Sequence, residues 1–397
     1  MIHVEADPAQ WPLRRTCPLS QPPALAGFRE GPPREVRLRG EQRAWLISRY
    51  EDVRLALAEP RLSVDDQHPN WPNRLLFPVP PRAVSFWRMD PPEHGLYRKM
   101  VAPEFTARRT QALRPLIESI TEELLDGMAG KSGPVDLHSA FSLPLPCIVI
   151  ARIFGVPDED MAAFKSMTSA VLNQAEPEKA VEAFVATTAY LDRLAREREG
   201  APRDDLISRL VVNHVRTGEL SHEDLVALVR LMLVAGHETT ANQIALGVFT
   251  LLDRPEVLAQ LRDDPTLLPK VVDEMLRYWS IAQDNVVRVA TEELVIGGTR
   301  VAAGDAVVIS IPGANHDEEV FAGAADFDVH RDNGRHLAFG HGAHFCPGGP
   351  LARTEIEIAL GAVFRRFPGL RLAVPREEVA ASTDTLVYGL KSLPVVW

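Results

Sequence analysis

The sequence is poor in cysteine. Cys17, Cys147 and Cys346 are the three in 397 residues, too few for a disulfide framework, so a reducing compartment is expected and each thiol needs its own explanation. No apolar run near the start has the form of a signal peptide, and none elsewhere reaches membrane-spanning length. The expected location is the cytoplasm, with no membrane contact. Basic residues are outnumbered, 43 Lys and Arg against 54 Asp and Glu, and a net charge of −11 argues against a sequence-blind grip on nucleic acid. There is no low-complexity linker, repeat or shift in composition, so one domain spanning 1–397 is expected. What remains, 46% hydrophobic and 24% charged, is a globular chain able to bury a large core.

Helical patterns dominate from Pro103 to about Leu276, with breaks at Gly130 to Pro134, Pro144 to Pro146, Pro157 and Gly200 to Pro202. Before them stand a Pro-rich coil, a hairpin from Val36 to Ile47 turning at Gly40, a helix from about Tyr50 to Ala58, and an aperiodic Pro- and aromatic-rich stretch from His68 to Trp87. After Pro269 come a helix with Glu274 and Arg277, and strand-like pieces: Leu294 to Ile296, a Gly297-Gly298 turn, Thr299 to Val301, and Ala306 to Ile311. A final helix is expected from Pro350 to Phe367. The fold class is therefore mainly α with a smaller β component, α+β.

One helix is unusual. Ser221-His222-Glu223-Asp224 has the form of a capping box and opens an apolar pattern running from Asp224 to about Leu252, roughly 40 Å of helix. Its middle, Ala235-Gly236-His237-Glu238-Thr239-Thr240, sets a glycine, an acid and two hydroxyls inside an otherwise buried pattern, where unpaired polar groups cost about 1–3 kcal/mol each. A zinc-protease template fails there, because HExxH requires histidine where Ala241 stands.

The second unusual segment is His336-Leu-Ala-Phe339-Gly340-His341-Gly342-Ala343-His344-Phe345-Cys346-Pro347-Gly348-Gly349-Pro350, directly before the final helix. A thiol at a helix start is expected to favour the thiolate, because the dipole and free N–H groups stabilise negative charge. The glycines let backbone approach a flat ligand and turn donors toward sulfur. A small buried cysteine in a glycine loop, or a zinc cluster of His336, His341, His344 and Cys346, are the other readings of these residues.

The run Phe339-Gly340-His341-Gly342-Ala343-His344-Phe345-Cys346-Pro347-Gly348 resembles the haem-binding signature of the cytochrome P-450 monooxygenases, with Cys346 in the place of the iron ligand. Ala235-Gly236-His237-Glu238-Thr239 resembles that family's oxygen-activation motif, and Glu274 and Arg277 its ExxR pair, which alone would read as a surface salt bridge. The resemblance covers the chain from about residue 45 and implies the cytochrome P-450 fold, with heme b between the long central helix and the helix after the cysteine. It gives Glu238 and Thr239 the catalytic proton relay. It also implies propionate contacts from His94, Arg98, Arg288 and His336, with Phe339, Gly340 and Gly348 around the macrocycle. By the same analogy Leu76, Phe77, Val234, Ala235, Asn285, Val286 and Leu390 line the substrate pocket.

What the resemblance implies about function is insertion of one atom of dioxygen into an apolar organic molecule, a secondary metabolite. No flavin or nucleotide domain is encoded, so electrons from NAD(P)H are expected through a ferredoxin reductase and a ferredoxin, docked on a basic face of Arg98, Lys99, Arg108, Arg109 and Arg353. A monomer is expected. The competing readings are peroxide-driven or non-oxygenating chemistry (coupling, isomerisation, dehydration) on the same scaffold, and haem storage or ligand sensing.

Overall fold

The computed structural model describes residues 8–17, 19–38, 40–72, 85–171, 177–283, 286–382 and 387–397. The helices that frame the site are α1 (Tyr50–Ala58), α2 (Glu93–Val101), α3 (Ala107–Ala129), α4 (Pro144–Phe154), α5 (Met161–Val171), α6 (Pro177–Gly200), α7 (His222–Asp253), α8 (Leu268–Trp279) and α9 (Gly349–Arg366). The axis of the molecule is α7. The Ser221 hydroxyl accepts the Asp224 N–H at 3.0 Å, as a capping box requires, and from Leu225 to Leu251 most of its residues are buried. A helix apolar on nearly every side must be enclosed, and α4, α6, α8 and α9 pack around it.

Two ionic ties fix the entry of α7. Both ring nitrogens of His222 meet carboxylates of α6, Nδ1 to Glu199 at 2.5 Å and Nε2 to Asp192 at 2.7 Å. Burial, the largest influence, pulls this imidazole's pKa down, and Glu199 and Asp192 together outweigh it, so the net direction is up. Deeper in, Arg198 of α6 is 1% exposed; its Nε donates to Asp205 at 2.5 Å and its Nη2 to the Gly155 carbonyl at 2.6 Å. Gly155 ends α4 at φ 78°, and a Cβ there would lie 2.7 Å from the Cβ of Asp205.

The β component is small. A six-stranded sheet runs Ala9–Gln10, Arg34–Arg37, Arg43–Ile47, Ala306–Ile309, Val287–Ala290, Leu62–Ser63 in spatial order. Arg34–Arg37 and Arg43–Ile47 form the expected hairpin. Leu294–Ile296 pairs with Thr299–Val301 across Gly297 (φ 55°) and Gly298 (φ 84°), two left-handed positions that a tight two-residue turn demands. Three boundaries differ from expectation. The strand from Ala306 stops at Ile309, because Ser310 caps a short helix, Ile311–Asn315, its hydroxyl accepting the Gly313 N–H at 3.1 Å. Pro144 opens α4 rather than breaking a helix, since a proline at the first turn forfeits no hydrogen bond. The last helix runs from Gly349 to Arg366.

Glu274 and Arg277 are not on the surface. Both are fully buried in α8 and bonded in two places, Nε to Oε2 at 2.7 Å and Nη2 to Oε1 at 2.8 Å. Arg277 also donates to the carbonyls of Asn315, Ala324 and Asp326, while Glu274 accepts the Asp328 N–H. The pair thereby holds the chain that leads to the cysteine loop.

Candidate active site

Cys346 lies just before α9, its N–H donating to the Phe339 carbonyl at 2.9 Å. Gly340 and Gly342 are both at φ 75°, and a Cβ on Gly342 would come within 3.0 Å of the Ala58 Cα, so the loop is pressed against the end of α1. Burial, the largest influence, pushes the Cys346 thiol pKa up; the backbone N–H groups of Gly348 and Gly349 and the Arg98 guanidinium oppose it without winning. The expectation that the helix start alone yields a thiolate is thus corrected. A cation at sulfur is what would complete the deprotonation.

Three basic side chains converge on this loop from two elements, α2 and the strand Val287–Ala290. Arg98 of α2 donates to the Phe345 carbonyl at 2.5 Å. His94, one turn earlier, packs against His344 with ring centroids 4.1 Å apart and the planes tilted by 39°, and its Nε2 is buried with no hydrogen-bond partner among the described residues. Arg288, from strand Val287–Ala290, is buried and donates to the adjoining Val287 carbonyl at 2.8 Å; burial drives its pKa down to about 10. Burial first, then His94, Arg288 and Arg98, hold the His344 imidazole down to about 3.

His336 is placed differently. Its Nε2 faces an Arg353 Nη2 at 3.1 Å and its Nδ1 accepts the Ala338 N–H at 3.2 Å, while Arg353 also pairs with Asp273 and stacks over Phe339 at 5.2 Å. Arg98 and Arg353 turn inward, Arg109 pairs with Glu104 at 3.5 Å, and Lys99 and Arg108 are exposed. Sequence reasoning passed over the structural part played by Arg353 and the buried Glu355, although both stand in the Ala352-Arg353-Thr354-Glu355 run after the cysteine. Among the described residues no group of three His, Cys, Asp or Glu is arranged to hold a metal ion, which removes the zinc cluster.

On α7 the polar insertion divides by face. His237 is buried and its Nε2 meets the Leu143 carbonyl at 3.2 Å. Ala235, Glu238 and Thr239, spaced i, i+3, i+4, share another face, on which Ala235 is exposed and the other two are half-buried. The Thr239 hydroxyl donates to the Ala235 carbonyl at 2.8 Å, leaving its oxygen lone pairs to accept. Burial pushes the Glu238 carboxyl up to about 7. Val234 and Val286 are half-buried. Leu390 is buried in strand Gly389–Leu390, whose glycine lies against Asn242 of α7. Leu76, Phe77 and Asn285 fall outside the described residues.

The residues present fit a haem. A buried imidazole nitrogen without a partner and a buried arginine bonded to a neighbouring carbonyl await acceptors such as propionates. Gly340 and Gly348 offer bare backbone, and the Phe339 ring lies 3.5 Å from where a Gly349 Cβ would be.

The sequence profile of the cytochrome P-450 family matches residues 176–387. The chain belongs to that family. Pentalenic acid synthase of Streptomyces avermitilis is 40% identical to this cytochrome P-450, covering 98% of each chain, and the 20-oxo-5-O-mycaminosyltylactone 23-monooxygenase of Streptomyces fradiae is 41% identical, covering 98% of this chain and 92% of that protein. The crystal structure of the mycinamicin VIII C21 methyl hydroxylase from Micromonospora griseorubida, bound to mycinamicin VIII, aligns with a TM-score of 0.91 at 37% identity over 98% of this chain and all of the other. The protein is a cytochrome P-450 monooxygenase in family and fold, and membership implies a haem cofactor, a redox partner and a small organic substrate.

Proposed function

We propose that this cytochrome P-450 inserts one oxygen atom into an apolar secondary metabolite, with Cys346 holding the iron of heme b and electrons passing from NAD(P)H through a ferredoxin reductase and a ferredoxin. The carrying observation is the convergence of Arg98, His94 and Arg288 on the Cys346 loop, with the Nε2 of His94 left without an acceptor. Haem bound there would supply the activation of dioxygen. The chain's own residues do the rest. Arg98, His94, Arg288 and His336 would hold the propionates, and the Gly348 and Gly349 N–H groups steady sulfur. Glu238, kept neutral up to about pH 7 by burial, carries a proton that can be given at neutral pH, and Thr239, donating to Ala235, presents an oxygen that accepts one. Relatives that act on 20-oxo-5-O-mycaminosyltylactone and mycinamicin VIII support a tailoring role.

The test is spectroscopic. Reduced protein exposed to carbon monoxide is expected to show the red-shifted absorption of haem-thiolate coordination, and Cys346→Ala to lose it. Persistence of that band in the alanine variant would sink the assignment.

A further inference from the structure

Antiparallel α6 and α7 are tied where His222 meets Asp192 and again where Arg230 meets Thr188. Between these ties they leave a cleft of about 580 Å³, lined by Phe184, Val185, Thr188, Val226, Ala227 and Arg230, a volume that suits a small molecule. On α7 the lining runs from Glu223 to Arg230. Glu238 and Thr239 stand about two turns further along the helix and take no part in it. The apolar wall reaches the surface at Val185, which is 61% exposed, so a hydrocarbon laid against it would remove that surface from water.

Arg230 supplies the polar end of the cleft. It is half-buried, lies 4.5 Å above the Phe184 ring and donates through Nη1 to the Thr188 hydroxyl at 3.1 Å. That hydroxyl is neutral and gives its own proton to the Phe184 carbonyl. Nε and Nη2, the paired edge that matches a carboxylate, form no hydrogen bond among the described residues. Other enclosed arginines have a carboxylate in hand: Arg198 has Asp205, Arg277 has Glu274, Arg209 has Glu104 and Arg88 has Asp66. Burial lowers the Arg230 pKa, and no carboxylate is near enough to oppose it. The acids of the cleft stand at its far end. Asp192 is engaged by His222 and Arg196, Asp224 faces the Tyr97 hydroxyl at 3.5 Å, and Glu223 precedes Arg230 on α7 by roughly 10 Å.

We infer that this cleft is a second ligand site, distinct from the haem pocket, which takes a small carboxylate with an apolar tail. The carboxylate pairs with the Nε and Nη2 edge of Arg230, and the tail lies along Val185, Val226 and Ala227. A guanidinium half-withdrawn from water and not paired gains from such an anion, while the acids at the far end repel the head and so fix the ligand's direction. A doubly charged phosphate would need a second cation, and none lines the cleft among the described residues. The site stands apart from whatever the enzyme oxidises, and it does not rest on the oxygenase reading.

The holoprotein, its iron saturated with imidazole, is to be titrated with octanoate and with octanol by calorimetry, the haem absorption being followed in the same samples. Octanoate is expected to bind about tenfold tighter than octanol and to leave the haem spectrum unmoved. Arg230→Gln is expected to erase that preference and Arg230→Lys, which keeps charge but loses the planar fork, to retain part of it. Val185→Glu sets a carboxylate on the exposed wall and should weaken octanoate more than octanol. An unchanged melting curve marks the variants as folded; if the glutamine variant fails it, the lysine variant decides, a reduced preference supporting the site and an unreduced one overturning it. Equal affinity for acid and alcohol, a preference that survives Arg230→Gln, binding that appears only without imidazole, or no binding at all overturns the inference. A dimer in sedimentation that Val185→Glu dissociates and octanoate does not would put a second copy in the cleft, and likewise overturns it. Calorimetry judges the cleft whether or not Cys346 holds iron.

Discussion

At the scale of single residues, burial without a partner is what turns ordinary side chains into chemical ones. Glu238 is held to about 7 by burial, so its neutral form, the proton donor, is depleted above that pH. Product formation is expected to decline as pH rises past 7, and Glu238→Gln to be several-fold slower at pH 6.5 and to lose that decline; a pH profile of turnover checks it. Thr239→Ala is expected to consume reductant with product per electron pair lowered about tenfold, measurable as product against nicotinamide oxidised. Glu355, 3% exposed, has its Oε2 without a hydrogen-bond partner among the described residues, and burial pushes it up to about 8. Because its folded pKa exceeds the unfolded one, near 4.5, the folded state binds the extra proton, and stability present below pH 4.5 is lost as pH climbs toward 8. Glu355→Gln should flatten that slope, about 1.4 kcal/mol per pH unit at its steepest, in melting curves taken from pH 5 to 8.

Among the elements, the buried Glu274–Arg277 pair is the strongest candidate for a structural lock, since cutting one partner strands a charge where water cannot reach. Arg277→Ala is expected to cost about 3–5 kcal/mol, against less than about 1 kcal/mol for Arg365→Ala, whose pairing with Glu122 is exposed; denaturant titration distinguishes them. The same elements show what a sequence discloses. The Ser221 cap, the Gly297-Gly298 turn and the glycines around Cys346 declare themselves because each answers a local backbone requirement. The depth of Glu274 and Arg277, the bonds of Arg98 to the Phe345 carbonyl and of Arg353 to Asp273, and the tilted His94–His344 ring contact depend on segments far apart in the chain. Spacing placed the long helix to within two residues at its start, and could not say that His237 points away from Glu238.

For the whole molecule, the chief fact is one large core wrapped around α7, with smaller clusters under the sheet. Among the described residues no helix is long and apolar enough to cross a membrane. The proposed haem would join that core to the cysteine loop, so its extraction is expected to lower the melting temperature by roughly 5 °C or more, by mass action on the folded state, as calorimetry of matched preparations can show. Arg277 adds a consequence of its own. Three carbonyls scattered over residues 315–326 hang on one guanidinium, so the proximal strand of chain cannot loosen piecemeal. Heating should therefore release cofactor and tertiary structure in a single cooperative event, with bleaching of the chromophore and loss of near-ultraviolet dichroism falling on one curve.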